Sequence, residues 1–330
     1  MKKFENIFFL FATVSGLFII GPEVNTPNID KPLPKISIKL NKLRSWVDNR
    51  EKNITNIKPD NASKLIFFDS IPQKTTYSVL YLHGFSASCG EGYPVHSNIA
   101  NTLKANLYLP RLSGHGLIEK EPLIDFTADK YLDSAREALA IAKRIGEKVI
   151  IISSSSGGTL SLILGDDPQI AAILLFGPNV EIFNPAARLL TLPWGLQIAR
   201  LYLGSKYHVM NNITEKKKKY WTTKYRIEPT IHLQKLLSQS MKPYIFNKIK
   251  APVFLGYYYK NEKEKDKVVS IPAMLKMYDQ LGTPLNKKEK VPFSNAGDHV
   301  IISNLTSDYF EEAELAAINF LNNKLGIIPK

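Results

Sequence analysis

The sequence holds a single cysteine, Cys89, among 330 residues. That excludes an internal disulfide and any metal site built from several thiolates. Long apolar runs are equally scarce: the longest, Ile7 to Ile20, covers 14 residues, short of the ~20 that span a bilayer as a helix. No segment interleaves basic and aromatic residues as nucleic-acid-binding motifs do, and no internal repeat is present. The net charge of +13 would by itself suggest a polyanionic partner. Its distribution argues against that, because lysines are scattered beside Asn and Glu and the densest run is only Lys216 to Lys219. Such a run reads as a solvated face, and anionic lipid is the one partner that the charge still recommends.

What remains is a chain long enough for one large core with an insertion, with an ordinary hydrophobic content of 44%. Lys2 and Lys3 precede the apolar run, and Gly21-Pro22 ends it, the layout of a secretory signal. No small-x-small cleavage site follows, so residues 1–22 fit a cleaved signal peptide or an uncleaved membrane anchor through residues 7–20. Either places the body outside the cytoplasm. Residues 23–61 read as a Pro-rich tether followed by a short helix from Ile38 to Glu51.

From about residue 62 strands and helices alternate, which predicts a mostly parallel central sheet flanked by helices. Strands are expected at Leu65–Phe68, Tyr77–Leu82, Asn106–Leu109, Val149–Ile152, Ala171–Phe176, Pro252–Tyr258 and Lys287–Phe293. Thr127 caps a helix that runs to Ile145, with Gly146 as its stop, and a closing helix spans Ser307–Leu325. Residues 180–250 break the alternation. They show amphipathic helical segments and no convincing strand, and so read as a helical lid inserted between 62–179 and 251–330.

The stretch that carries chemistry is Val149 to Leu160, VIIISSSSGGTL. A buried strand that turns at once into a helix needs small residues at the corner, the geometry of a nucleophile elbow. With Ser155 at the corner, Ser153 stands two before it and Gly157 and Gly158 two and three after. With Ser156 there, Ser154 and Gly158 flank it. Ser154 fits worst, since Ile152 would then occupy a position that needs a small side chain. An ordinary Ser/Gly turn would look the same in isolation.

A serine hydroxyl needs a base, and the base needs an orienting group. His299, in SNAGDHVI after the final strand, stands where the base belongs. His96, His208 and His232 have no supporting motif. In the loop KNEKEKDKVVS, Asp266 directly precedes a return to apolar sequence, whereas Glu262 and Glu264 alternate with lysines. Asn179, after the preceding strand, is not a carboxylate, and Asp298 adjoins His299 too closely to orient its ring. Backbone N–H groups for an oxyanion are expected from Ser156 at the helix start and from Phe85, in the loop His83-Gly84-Phe85-Ser86. The loop Arg111 to Gly116 reads as a pocket wall with His115 structural, and Cys89 as a packing residue.

YLHGFSAS, RLSGHG, SSSSGG, DKVVS and GDHV follow one another as in the α/β-hydrolase superfamily, and the chain resembles its esterase, monoacylglycerol-lipase-like branch from Leu65 to Leu325. The resemblance implies an α/β-hydrolase fold, a serine hydrolase acting on lipid or short-chain carboxylic esters, no cofactor and no metal. Ser153 stands where the family usually has Gly, and the Lys/Glu-rich loop before Asp266 is long. An Asp at position 155 would have signalled dehalogenase or epoxide-hydrolase chemistry. The different-class alternative is a catalytically silent binding or scaffold module on the same fold at the cell envelope. Acyl acceptor, chain length and oligomeric state are left open.

Overall fold

The computed structural model describes residues 20–211 and 213–326. The leader-or-anchor expectation for residues 1–22, apart from residues 20–22, falls outside the described residues. Helix α1 (Leu40–Lys52) packs Leu43 and Val47 onto the body. Strand β1 (Lys64–Ile66) and the longer β2 (Thr75–Leu82) follow, then helix α2 (Val95–Thr102) and strand β3 (Asn106–Leu109). Helix α3 (Ala128–Ile145) starts at Thr127, whose hydroxyl accepts the Lys130 N–H, the side-chain cap expected of threonine. Gly146, expected only as the helix stop, also opens strand β4 (Gly146–Ser154). Helix α4 (Ser156–Leu164) and strand β5 (Ile170–Phe176) complete the first half of the sheet.

The segment after β5 contains α5 (Gly195–Leu203), β6 (Tyr207–Val209), α6 (Glu215–Tyr220), β7 (Lys224–Arg226), α7 (Glu228–Ser240) and α8 (Pro243–Lys248). It is therefore not all helix: β6 and β7 pair antiparallel, Tyr207 with Arg226 and Val209 with Lys224. Strands of three residues are too short to show an alternation of period two, so the hydrophobic pattern gives no warning of them. The core resumes with β8 (Val253–Tyr258), α9 (Ile271–Gln280), β9 (Lys288–Phe293) and α10 (Phe310–Leu325). This last helix begins three residues later than its apolar pattern suggests.

The main sheet has strand order β1-β3-β2-β4-β5-β8-β9. β1 runs antiparallel to β3, and every other pairing is parallel. Central strands buried on both faces explain their unbroken apolar runs: Val149 to Ile152 and Ile173 to Phe176 are fully buried. One face packs on α1, α3, α4 and α9, the other on α2 and α10. This is the layered α/β architecture that the alternation predicts, and it brings the carboxyl ends of β2, β4, β5 and β8 together at one edge. Among the described residues no helix is long and apolar enough to cross a membrane.

Candidate active site

The sheet positions the serine through two neighbouring strands. β4 ends between β2 and β5, Ser153 opposite Leu82 and Leu175. One residue on, the backbone reverses: Ser155 has φ 52° and ψ −121°, a region costing about 1–3 kcal/mol for a residue with a Cβ. The strained turn is held from β5 and beyond, since the Ser155 N–H donates to Phe176 O at 3.1 Å and the Ser155 carbonyl accepts the Asn179 N–H at 2.8 Å. A Cβ on Gly157 would lie 1.9 Å from Leu82 O, and one on Gly158 would lie 2.6 Å from Pro178 Cβ. The small residues after the serine are thus demanded by close backbone contact. Ser153, in place of a glycine, stays in regular strand geometry and is not asked to adopt positive φ.

The three serine registers separate in space. Ser154 is buried inside the strand. Ser156 is buried too, and its hydroxyl is bonded to Tyr131 Oη at 2.9 Å. Ser155 alone stands at the corner and lines a cavity of about 880 Å³. His299 and Asp266 line the same cavity. They come from the loops after β9 and β8, thirty-three positions apart in sequence, and meet with His299 Nδ1 2.5 Å from Asp266 Oδ2.

The other Asp266 oxygen accepts the Val268 and Val269 N–H groups at 2.8 and 3.1 Å. Burial pushes the Asp266 carboxyl up, but His299 and these two N–H groups outweigh it and the group lies below its ordinary value. Burial pushes His299 down, and the Asp266 carboxylate more than reverses this, so the imidazole lies above its usual value. With Nδ1–H donating to the carboxylate, Nε2 carries the lone pair. That atom is buried without a hydrogen-bond partner among the described residues. Glu262 and Glu264 pair instead with Lys265 and Lys260 on the surface.

The loop after β2 is fixed by His83. Its Nε2 accepts the Leu112 N–H at 3.2 Å, so Nδ1 carries the proton and donates to Gly84 O at 2.9 Å. Burial, with His115 next to it, drives His83 well below the usual histidine value and keeps it neutral. Phe85 packs edge-on against His115, Phe126 and Tyr225. His115 is buried in this aromatic cluster and pushed down to about 4, as suits a structural residue, but the loop Arg111 to Gly116, expected as a pocket wall, does not line the cavity. The Phe85 and Ser156 N–H groups have no acceptor among the described residues. Cys89 is buried, which raises its thiol to about 11. Among the described residues no group of three His, Cys, Asp or Glu side chains could hold a metal ion.

The far wall belongs to the insertion, which contributes Met210, Trp221, Tyr225 and Leu233. It is tied to the body: Thr222 N–H donates to Ser86 O at 2.7 Å, and Lys58 Nζ donates to the carbonyls of Lys218 and Trp221. The lysine run is not wholly a solvated face, because Lys217 turns inward over Trp221, 3.5 Å from Asp298, and lines the cavity. The residue that sequence reasoning missed is Glu91, in the helical turn Cys89–Gly92. It is 1% exposed, faces the cavity, and accepts the Gly84 N–H at 2.6 Å and the Tyr81 hydroxyl at 2.9 Å. Its only sequence signal was a lone acid among small residues shortly after the HGF loop.

Several solved structures share this architecture. One, from work on LipS and LipT, two metagenome-derived lipolytic enzymes, is 18% identical with a TM-score of 0.62 and covers 80% of this chain and 99% of its own. A Paleococcus ferrophilus monoacylglycerol lipase is 12% identical at TM-score 0.55, covering 78% and 97%. A Pyrococcus furiosus esterase is 16% identical at TM-score 0.51, covering 89% and 98%. No curated protein matches the chain in sequence. The sequence profile of the alpha/beta hydrolase family, however, matches residues 79–299, from within β2 to the histidine that meets Asp266. The chain belongs to the alpha/beta hydrolase family.

Proposed function

We propose that the protein is a serine hydrolase that cleaves carboxylic esters through an acyl-enzyme. Ser155 Oγ adds to the acyl carbon while His299 Nε2 takes its proton. The carbonyl oxygen becomes an oxyanion and accepts hydrogen bonds from the Phe85 and Ser156 N–H groups, the second at the positive end of α4. The tetrahedral species collapses, and His299 returns the proton to the departing alcohol. Water, deprotonated by the same nitrogen, then cleaves the acyl-enzyme. Asp266 holds the ring and stabilises its charged form. Each step uses only groups of this chain and water.

The observation that carries this reading is the 2.5 Å contact between His299 Nδ1 and Asp266 Oδ2, with the unpartnered Nε2 in the cavity that Ser155 lines. The lipolytic and esterase activities named for the similar structures agree with it. The apolar wall of Phe85, Met210, Trp221 and Leu233 suits an acyl chain.

The substrate reading extends to location: the body works outside the cytoplasm beside a membrane. The chain enters the described structure against the insertion, where the Trp194 N–H donates to Pro22 O. On that same element Leu201 and Tyr202 are 85% and 84% exposed. The apolar run in the sequence from Ile7 to Ile20 and this exposed apolar face each support a lipid surface as neighbour.

Fluorophosphonate labelling with parallel hydrolysis of a p-nitrophenyl ester tests the chemistry. Wild type labels and turns over, Ser156→Ala still labels, and Ser155→Ala and His299→Ala do neither. A folded wild type that does not label sinks the hydrolase reading and leaves a catalytically silent module.

A further inference from the structure

The ester-hydrolase cycle gives Glu91 no role, yet this carboxyl is buried in the wall of the same cavity as Ser155 and His299. Its two oxygens differ. Oε2 accepts both the Gly84 N–H and the Tyr81 hydroxyl, which fills both of its lone-pair directions. Oε1 has no hydrogen-bond partner among the described residues. A Cβ built on Gly84 would lie 2.7 Å from Oε1 and 3.1 Å from Ser155 Cβ. Oε1 and Ser155 therefore both face the side of Gly84 on which its Cβ would project.

An ionised carboxylate here would put a full negative charge beside the place where the acyl oxygen becomes negative. A low-dielectric wall screens that repulsion poorly. The neutral acid has the opposite effect. With Oε2 occupied, its proton sits on Oε1 and is directed at the cavity, a polarity that favours the oxyanion. We propose that Glu91 is a positioning residue of the oxyanion loop that serves the reaction as the neutral acid, Oε2 holding the Gly84 N–H and the Oε1 proton facing the Ser155 side. Glu91 gains and loses no proton over the cycle. The serine proton travels to His299 and then to the alcohol, as before.

The groups facing Glu91 bear on its ionisation from every packed element. They are Tyr81 on β2, Tyr131 on α3, His299 after β9 and Lys217 on α6. Burial pushes the carboxyl up to about 7, against the Gly84 N–H, the Tyr81 hydroxyl, His299 and Lys217, which favour its charged form. The neutral acid is thus populated at neutral pH and is lost above it.

The inference rests on the ester-hydrolase reading, and two measurements keep the two apart. The first is the dependence of kcat and KM on pH, from roughly 5 to 9, for wild type, Glu91→Gln and Glu91→Ala on a soluble p-nitrophenyl ester. The wild-type kcat has an alkaline limb near neutrality. Glu91→Gln, with a neutral amide of the same shape, keeps kcat within about threefold at the wild-type optimum, leaves KM unchanged and loses that limb. Glu91→Ala lowers kcat by about tenfold or more with an unchanged circular dichroism spectrum. An alkaline limb that survives in Glu91→Gln overturns the proposal, as does its absence from wild type.

The second measurement is the infrared difference spectrum between wild type and Glu91→Gln at neutral pH, which needs no turnover. A protonated-carboxyl band present only in wild type is expected, and its absence overturns the proposal even in an active enzyme. A wild type with the band but without hydrolysis refutes the ester reading instead.

Discussion

Gly157 lies directly beneath the end of β2, so close that a Cβ would stand 1.9 Å from the carbonyl oxygen of Leu82. The strand that leads into the HGF loop and the helix that follows Ser155 are in backbone contact there, with no room for one methyl group. Gly157→Ala must therefore push α4 away from β2 or distort the turn at Ser155. Overpacking of this kind costs about 1–3 kcal/mol. The expected result is a lowered Tm, together with a loss of ester hydrolysis larger than the fraction unfolded. Ser153→Gly, in regular strand geometry nearby, leaves fluorophosphonate labelling intact.

Asp266→Asn keeps the shape of the loop but removes the charge that His299 faces. By analogy with Ser-His-Asp triads the expected loss in kcat is about 10⁴-fold, measured with a soluble ester after matching circular dichroism spectra.

In the proposed mechanism the same pair sets the acid limb of activity. The raised value of His299 means that its ring still carries a proton somewhat above pH ~6.5, and a protonated ring cannot accept the Ser155 proton. Hydrolysis therefore falls as pH drops through the His299 value. In Asp266→Asn the largest opposition to burial is gone and only Asp298 and Glu91 still favour the charged ring, so the residual activity has its acid limb shifted to lower pH. A limb that stays in place argues against His299 as the base.

For membrane proximity, Leu201→Asp combined with Tyr202→Asp should weaken association of the full-length protein with anionic vesicles in a flotation assay, while kcat/KM on a soluble ester changes by less than about twofold. These side chains are exposed and far from the fold's core, so substitution costs little stability, within about 0.5 kcal/mol each. Unchanged flotation would mean that this face does not touch lipid.

The parts of this molecule that were readable from sequence are those with a local cause. Val149 to Ile152 announced a strand buried on both faces, and the serines and glycines after it announced a corner, because backbone proximity demands small residues. Asp266 and His299 could be placed by their position after predicted strands, without knowledge of their contact. Where several causes overlap, legibility fails. The β6–β7 hairpin is too short to alternate, and Lys217 belongs to a lysine run whose composition says solvent although tertiary packing turns it inward. Glu91 escaped notice because its meaning depends on the two partners that the fold brings to it, Gly84 and Tyr81, and on nothing in its own neighbourhood.

The hydrogen bond from Thr222 to Ser86, with Lys58 clasping the end of α6, limits how the cavity can be entered. At this end the insertion is buttoned to the HGF loop itself, so it cannot swing away as a rigid flap without unsettling the loop that carries Phe85. Met210, Trp221 and Tyr225, which line the cavity, belong to that same tethered stretch, so the acyl-side wall is built on the loop that carries Phe85.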